Sequence, residues 1–500
     1  MISSLRVPAR IDFLTPFQAW LHELSVLAGH SPDESSSLQL AAEEIFVNIV
    51  LYAFPDQENP TFQVDFDLEN TGLSLCFRVK GMPFDPAALP VYDPTVVERD
   101  GRVEGLGMYL AGRMVDRLTF RNNGREGYSV ELVKMSAGAR IDSHPEPEKA
   151  APRARTLGGE PLSGDCVIRP LRPEEAIDIS RCAYETYGYA YEEYIYYPEK
   201  IVELNGSGCM TSLVAVTDAG EVMGHIAVKR KEPHDVAAEL GVLFVRPEYR
   251  SLKIGGRLTA EMLRRAAASG LRGLFTRAVA GHERSQKMAA ASGFVDCGIM
   301  LGTFPAGVEF KGITGVIPQR QSALVQWLGL APPRPRTLYV SGRYRQTVEC
   351  LYGRLGLPFS PGDERDDCDG DTVISVTRTA ILNVADIVVH GAGWDLVDQL
   401  RLQLRLLCLE QLPVIYLHLD LERPYTRERL SDIEELGFFF SGILPEVLDG
   451  HDALIMQYLN NQFIDYGQIR LHSPESVELL AAIREMDPLQ REVGGTGGAE

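Results

Sequence analysis

A chain of 500 residues with a formal charge of −20 has material for about three domains and no basic tract with which to displace counterions from nucleic-acid phosphate, so no DNA or RNA partner is expected. Its eight cysteines include no C-x-x-C pair, and no histidine cluster has metal-ligand spacing, which points to free thiols in a reducing compartment. No charged-then-apolar leader opens the chain and no run of 18 apolar residues occurs in it, so a soluble, cytoplasmic protein with no membrane partner is expected.

The first periodic stretch, Leu38 to Phe54, reads as a helix that carries Glu44 and Asn48 four residues apart on one face. A carboxylate and an amide so placed can orient a water and hold Mg2+ through oxygen ligands. They fit equally well as ordinary polar positions on a half-buried helix whose domain serves as a dimerisation or partner-binding surface. A strand then leads into Val79-Lys80-Gly81-Met82-Pro83-Phe84-Asp85-Pro86, a second helix opens at Gly105, and Gly124 to Lys134 reads as a turn and a closing strand. Residues 138–164, rich in Pro, Gly, Ala and charge without apolar periodicity, are expected to form an extended linker.

Seven tyrosines crowd into the fourteen residues from Tyr184 to Tyr197. Such a cluster fills a core or an interdomain contact, or stacks on a cationic or planar acceptor. Leu240 to Val245 is too short and too β-branched for a buried helix and reads as a strand, which Pro247 stops. The backbone then turns through Arg250 to Gly256 into a helix with Leu258, Met262, Leu263 and Ala266 on its apolar face. Free N–H groups at such a helix start favour an anion. Gly255 and Gly256 let a pyrophosphate approach the backbone, and Arg250 and Lys253 add positive charge. The spacing is not that of a nucleotide P-loop.

His282 to Phe294 follows as a further helix ending in Gly293-Phe294. His225 and His282 have no Ser, Cys or Asp partner at recognisable spacing and are expected to be structural or solvent-facing. After a softer break at Ala331 to Arg336, Thr337 to Val340 looks like the strand that opens a third segment. That segment runs strand, loop, helix, Gly437-Phe438, strand, as the second does, so an internal repeat is expected. Its equivalent turn has Gly391 and Gly393 but no arginine-led run, so its cradle reads as eroded. Residues 488–500 read as a disordered tail.

The turn at Arg250 to Gly256, with the helix at His282 to Phe294, resembles motif A and the following helix of the GNAT family of acetyl-CoA-dependent N-acyltransferases, over roughly residues 165 to 305 of an expected domain at 165–330. Arg250 and Gly255 match the family's pattern, and Lys253 stands where its first glycine is usual. The resemblance implies that acetyl-CoA lies along Phe244, Val245, Arg250, Ser251, Leu252, Lys253, Ile254, Gly255, Gly256 and Arg257. Amides near Phe244 and Val245 would polarise the thioester carbonyl, and Glu239 would strip the acceptor ammonium. Glu239 also fits an ordinary strand-edge carboxylate. The tyrosine that often acts as acid is replaced here by Ala289, and a thiolate can leave without one because its conjugate thiol has a pKa near 8.5. Residues 337–487 resemble a second, degenerate unit of the same kind, capping or completing the first.

Over residues 1–138, the stretches around Glu44, Gly81 and Gly105 resemble, in order, the N, G1 and G2 boxes of the GHKL ATPase fold, specifically of anti-sigma-factor serine kinases. The resemblance implies Glu44 as general base, Asn48 as the Mg2+ ligand, and a nucleotide held along Gly81, Asp85, Gly105 and Gly107. Tyr52 stands where a histidine is frequent, and Val79 replaces the Asp that reads the adenine amino group.

The fold class expected is therefore α/β, a GHKL-type sandwich followed by two GNAT-like domains. The expected function is transfer of an acetyl group from acetyl-CoA to an amine on a protein or small molecule, under control of nucleotide or a regulatory protein at the N-terminal domain. The cofactors would be acetyl-CoA and, at the N-terminal domain, ATP with Mg2+; a homodimer is allowed. The competing expectation is a non-enzymatic anti-sigma-like switch, or a serine kinase, whose GNAT pair senses CoA thioesters.

Overall fold

A computed structural model describes residues 2–55, 57–69, 72–84, 106–135, 166–189, 191–306, 319–340, 342–365 and 370–490. The chain divides into two compact units, and the division does not follow chain order. The first gathers Met1–Ser163 with Pro173–Glu185 and Glu192–Ile201, and the second comprises Gly164–Arg172, Thr186–Tyr191 and Val202–Glu500. Expected linker residues 139–164 lie outside the described residues, as do 491–500 of the tail.

In the first unit, β1 (Ile2–Pro8), β2 (Thr61–Glu69), β3 (Gly72–Val79), β4 (Arg117–Asn122) and β5 (Tyr128–Met135) form an antiparallel sheet in the order β1-β2-β3-β5-β4. The period of two is visible in the sequence. Phe62, Val64 and Phe66 on β2 and Leu73, Leu75, Phe77 and Val79 on β3 are buried, with polar residues between them. Helices α1 (Leu14–Leu27) and α2 (Pro32–Tyr52) close the core, where Phe46 meets Phe17 and Phe62 with ring centroids 5.2 and 5.3 Å apart. α2 starts earlier than apolar periodicity indicates, because Ser31 and Glu34 form a capping box around Pro32 and nucleate a first turn that has no apolar face. A third helix, α3, spans Leu106–Met114.

Part of the tyrosine cluster is packing in this same unit. Tyr184 and Tyr196 are buried, Gln57 donates to the Tyr184 hydroxyl at 2.9 Å, and Asn122 donates to the Tyr196 carbonyl at 2.7 Å.

The second unit is built on a twelve-stranded sheet made of two repeated halves. The first half holds β6 (Val167–Pro170), β7 (Met210–Val216), β8 (Val222–Lys229), β9 (Ala237–Val245), β10 (Gly273–Val279), β11 (Val295–Phe304) and β12 (Gln321–Gly329). Its helices, in chain order, are α4 (Ala176–Tyr187, which begins in the first unit), α5 (Pro198–Ser207, likewise), α6 (Ile254–Ala267) and α7 (Arg284–Ala291). The second half holds the five remaining strands of the sheet. A small parallel pair, β13 (Arg336–Leu338) and β14 (Phe359–Pro361), and α8 (Arg345–Leu355) come first. Then follow β15 (Val373–Thr379), β16 (Val384–Gly391), α9 (Leu396–Leu409), β17 (Val414–Asp420), α10 (Pro424–Glu435), β18 (Phe439–Leu448), β19 (His451–Leu459) and α11 (Pro474–Met486).

Strand order makes the repeat explicit: β6-β7-β8-β9-β10-β12-β11 runs to the middle, and β18-β19-β17-β16-β15 runs out again. Each half contains one parallel pair, β9 with β10 and β16 with β17, bridged by α6 and α9 respectively. A parallel pair needs such a crossover helix. The halves meet where β11 and β18 pair at Gly298 and Gly442. A Cβ on Gly442 would collide with the backbone of Gly298, so this junction demands glycine. Both joining strands carry two register shifts at similar intervals, a further mark of duplication.

A buried ionic network also belongs to this unit. Arg336 pairs with Glu446 at 2.8 Å and with Asp452 at 2.5 Å, Arg272 reaches Glu446 at 3.0 Å, and the Tyr352 hydroxyl donates to Asp452 at 2.6 Å. Burial pushes the Asp452 carboxyl up, and the Arg336 guanidinium opposes this.

Candidate functional site

The junction between β9 and α6 is built as the sequence suggests, with one departure in its chemistry. After β9 a single 3-10 stretch, Pro247–Leu252, delivers Lys253 in the left-handed backbone conformation (φ 57°), and α6 begins at Ile254. The bend that a glycine would make without strain is made here by a lysine, at a cost of about 1 kcal/mol. No side chain caps α6, so its first N–H groups are open. Arg250, Ser251, Lys253, Gly256 and Arg257 are exposed. A Cβ at Gly256 would meet nothing within 4 Å, and one at Gly255 only Leu243 and Val245 at 3.8 Å. Of the expected cofactor residues, Ile254 is buried and Leu252 half-buried in the core, so they offer backbone only. Arg257 donates to the Cys166 carbonyl at 3.1 Å. The residues present fit the pyrophosphate of acetyl-CoA.

Upstream, β9 and β10 pair only from Gly273 with Ala237 to Phe275 with Glu239, and then part. From Leu240 to Val245, β9 has no strand partner on that side among the described residues. On its other side the ladder to β8 is interrupted by a bulge: His225 faces Phe244, Ala227 faces Gly241, and Val242 between them has φ 53°. A β-branched residue is strained in that region and persists only when its surroundings hold it. His225 Nδ1 lies 2.8 Å from the Val242 carbonyl and holds it. The phenyl ring of Phe244 stacks on this imidazole at 6.0 Å, and Tyr187 and Tyr191 meet Phe244 edge-on at 5.6 and 4.8 Å. Phe244 and Val245 lie along this stretch of β9, where the Arg246 N–H bonds to Met223 of β8, and the Phe244 ring joins this aromatic layer.

Glu239 requires a correction. Its carboxylate accepts from Arg277 Nε at 3.0 Å and Nη2 at 2.7 Å, and Lys229 Nζ lies 3.3 Å away. Burial alone would raise its pKa, but the two cations outweigh burial and hold the carboxyl well below the usual range. Both oxygens are engaged and the group is a poor proton acceptor, so Glu239 is a structural ion-pair partner and not the base. Ala289 is buried against the α6–α7 face of the sheet with Phe294, leaving no phenol there. Burial lowers the His282 pKa.

In the second half the equivalent turn presents its own carboxylate. Asp395 stands at the start of α9 and accepts from Thr372 N and from Gln399 Nε2, both at 2.9 Å, while Gly393 N donates to Thr372 Oγ1 at 2.9 Å. A Cβ on Gly393 would strike the backbone at Gly370. Gly391 is half-buried. Gly393 is therefore packed by backbone and flanked by an anion, whereas a Cβ at Gly391 would meet nothing within 4 Å.

In the first unit Glu44 and Asn48 are half-buried on α2 as expected. Burial, with a smaller contribution from Glu43, raises the Glu44 pKa. Asn48 Nδ2 donates to the Glu44 carbonyl at 2.8 Å, which leaves its amide oxygen for a metal ion or water. Val79 is fully buried in the apolar core, so the adenine-reading carboxylate is replaced by core packing. Gly81 has a structural reason: a Cβ there would collide with Ala53 at the end of α2, and Met82 N donates to the Ala53 carbonyl at 2.7 Å. Phe84 lies over Phe120 and Tyr128 at 5.4 and 5.5 Å. Gly107 lies in α3, Tyr52 is exposed, and Asp85 and Gly105 fall outside the described residues. No group of three His, Cys, Asp or Glu side chains fit to hold a metal occurs among the described residues. No described helix is long and apolar enough to cross a membrane.

Two features escaped sequence reasoning, the clamp from His225 to the bulge and the carboxylate at Asp395. Neither has a local signal, since each depends on which strand lies beside which.

Comparison with known families agrees with both resemblances. Residues 7–134 match the model of the histidine kinase-like ATPase domain, and residues 174–294 match that of the acetyltransferase (GNAT) family. A comparison with curated proteins gave no match. Among solved structures, a putative GNAT acetyltransferase from Desulfovibrio desulfuricans is 16% identical, covering 33% of this chain and 100% of that one, with a TM-score of 0.28. The ribosomal-protein-S18-alanine N-acetyltransferase from Escherichia coli is 14% identical over 34% of this chain and 97% of that one, with a TM-score of 0.28. An N-acetyltransferase from Staphylococcus aureus is 20% identical over 33% and 99%, with a TM-score of 0.27. The chain carries a histidine kinase-like ATPase domain at residues 7–134 and a GNAT acetyltransferase domain at residues 174–294.

Proposed function

We propose that this protein transfers an acetyl group from acetyl-CoA to an amine of a protein or small molecule, and that nucleotide or a regulatory protein at the ATPase-like domain biases the transfer. The observation that carries the reading is the open start of α6: uncapped N–H groups, Lys253 and Arg250 exposed beside it, and two glycines without obstruction. The unpaired edge of β9 supports it by leaving amides free for the thioester carbonyl. Acetyl-CoA would supply the activated acyl group. The chain's own residues would hold the pyrophosphate, align the carbonyl on the β9 amides and exclude water beneath Phe244.

The alternative, a non-enzymatic anti-sigma-like switch whose GNAT pair senses CoA thioesters, is favoured by Ala289 and by the engagement of Glu239, whereas a serine kinase would require ATP affinity despite the core position of Val79. A thermal-shift titration with acetyl-CoA, CoA, ATP and ADP, each with Mg2+, tests the proposal. A ligand at 100 times its dissociation constant stabilises its domain by about 2.7 kcal/mol. Stabilisation by acetyl-CoA together with amine-dependent thiol release is the expected result. Stabilisation without thiol release across an acceptor screen supports the sensor, and no stabilisation by acetyl-CoA or CoA removes the transferase.

A further inference from the structure

One buried titratable side chain in the second unit has a polar atom that neither the fold nor the proposed chemistry uses. His225, on β8, is fully buried. Its Nδ1 faces the Val242 carbonyl at 2.8 Å, and a carbonyl can only accept, so Nδ1 carries the proton. Nε2 then holds a lone pair, shielded from solvent and with no hydrogen-bond partner among the described residues. Such an atom bears its desolvation cost with nothing in return. The carbonyl needs only one donor, which an asparagine amide could supply as well. The clamp on the bulge therefore does not account for an imidazole at this position.

His225 stands one strand away from the opening between β9 and β10. β8 is the strand next to β9, and His225 stands opposite Phe244 where β9 has lost its partner on the far side. The neighbouring position, Gly224, faces Leu258 of α6, so His225 projects from the opposite face, the one where Tyr187 and Tyr191 meet Phe244. Glu239, Arg277 and Lys229 share that face further along the strands and satisfy one another. His225 thus has on this face an acceptor to offer to an incoming donor.

We propose that Nε2 of His225 accepts the N–H of the acceptor amine and takes its proton as the amide bond forms, an inference that rests on the acyltransferase reading above. The amine nitrogen attacks the thioester carbonyl carbon, the C–N bond forms and the C–S bond breaks. The proton released from nitrogen passes to Nε2 and from there to the departing thiolate, so that amide and thiol are the products and the imidazole is restored. Burial lowers the His225 pKa to about 4, which keeps the lone pair available at neutral pH. The proton becomes acidic only once nitrogen has bonded to carbon, so a weak base suffices. The thiolate, with a conjugate pKa near 8.5, is the stronger base and draws the proton onward, which offsets the absent phenol at Ala289. Tyr187 and Tyr191 lie against Phe244 on the same face, and the amine enters as this aromatic layer parts, keeping water away from the thioester until then.

The test uses the full chain, with propylamine as a generic acceptor. His225→Asn keeps a donor for the Val242 carbonyl and removes the second nitrogen, whereas His225→Leu removes both. Acetyl-CoA affinity, measured by calorimetry, is expected to stay within about twofold in His225→Asn, while amine-dependent thiol release falls roughly 100-fold or more. In 15N-histidine-labelled wild type with CoA bound, Nε2 is expected to resonate as an unprotonated nitrogen and to move when propylamine is added. Thiol release near the wild-type rate in His225→Asn overturns the proposal and leaves the transferase reading standing. A protonated Nε2, or an unprotonated one indifferent to propylamine, overturns it even if propylamine is too poor an acceptor for turnover. Wild-type protein that neither binds acetyl-CoA nor releases thiol overturns the transferase reading, and this inference with it.

Discussion

The two crossovers of the twelve-stranded sheet, β9–α6–β10 and β16–α9–β17, are the same device put to different ends. In the first, the helix starts behind a left-handed lysine with no carboxylate beside it, and the strands separate after three paired positions. In the second, Asp395 stands at the helix start bonded to Thr372, Gly393 is packed on Gly370, and the strands stay paired over five positions. A duplicated half keeps its crossover because a parallel strand pair cannot be closed without one. It can lose its anion site simply by supplying its own anion and by zipping up the gap where a ligand would lie. Fold and local chemistry are thus separable: the crossover is common to both halves, and the surroundings of Lys253 and Asp395 are where they differ.

The largest effect should come from the seam that joins the halves. Gly442→Val drives a side chain into Gly298, and because the obstruction is backbone it cannot swing aside. A loss on the order of 3 kcal/mol, read as a fall in the urea midpoint, is expected. A midpoint unchanged from wild type would mean that the halves do not meet there.

Next is Glu239, whose role differs from that of a free base in a measurable way. Its folded pKa lies below the unfolded value of about 4.3, so it contributes stability that is complete above that pH and lost as pH falls toward the folded value. Urea titrations from pH 6 to 3 should show the wild type weakening along this limb. Glu239→Gln should cost about 2–3 kcal/mol at pH 7 by leaving the Arg277 cation without its partner, and should flatten the limb. If the pH dependence of stability is unchanged by this substitution, the ion-pair assignment fails.

Charge at the first cradle comes third. Arg250→Glu with Lys253→Glu makes the start of α6 resemble that of α9 in sign, and acetyl-CoA affinity should fall roughly 30-fold, about 2 kcal/mol by calorimetry. An unaffected affinity would remove the cradle from the cofactor site. The smallest effect is the most discriminating. Lys253→Gly should stabilise the second unit by about 1 kcal/mol by relieving the left-handed strain, while weakening acetyl-CoA by less than tenfold. A stabilised variant with unweakened binding would show that backbone shape alone makes the site.

Much of the architecture was legible before any coordinates. Glycine position, apolar period and the Gly-Phe helix ends at Gly293 and Gly437 marked the repeated units, since these patterns are local. Boundaries were less so. The start of α2 was missed because a capping box, and not an apolar stripe, sets it. Segments around Tyr184 and Tyr196 group with the first unit, since packing follows contact and not order along the chain. The buried network of Arg336, Glu446 and Asp452 had no precursor in the sequence, where these residues are more than a hundred positions apart or separated by a turn.

The sequence by itself determined the α/β class, the two family resemblances, the strand-to-helix cradle at Arg250 to Gly256 and the replacements at Val79, Lys253 and Ala289, all of which are carried by residue type and spacing. Only the tertiary structure decided what those residues do. It tied Glu239 to Arg277, set His225 against the bulge at Val242, placed Asp395 at the second helix start and buried Val79. The reason is physical: a carboxylate or an imidazole acquires its chemistry from the charge, solvent and donors around it, and those come from strands brought together across the sheet.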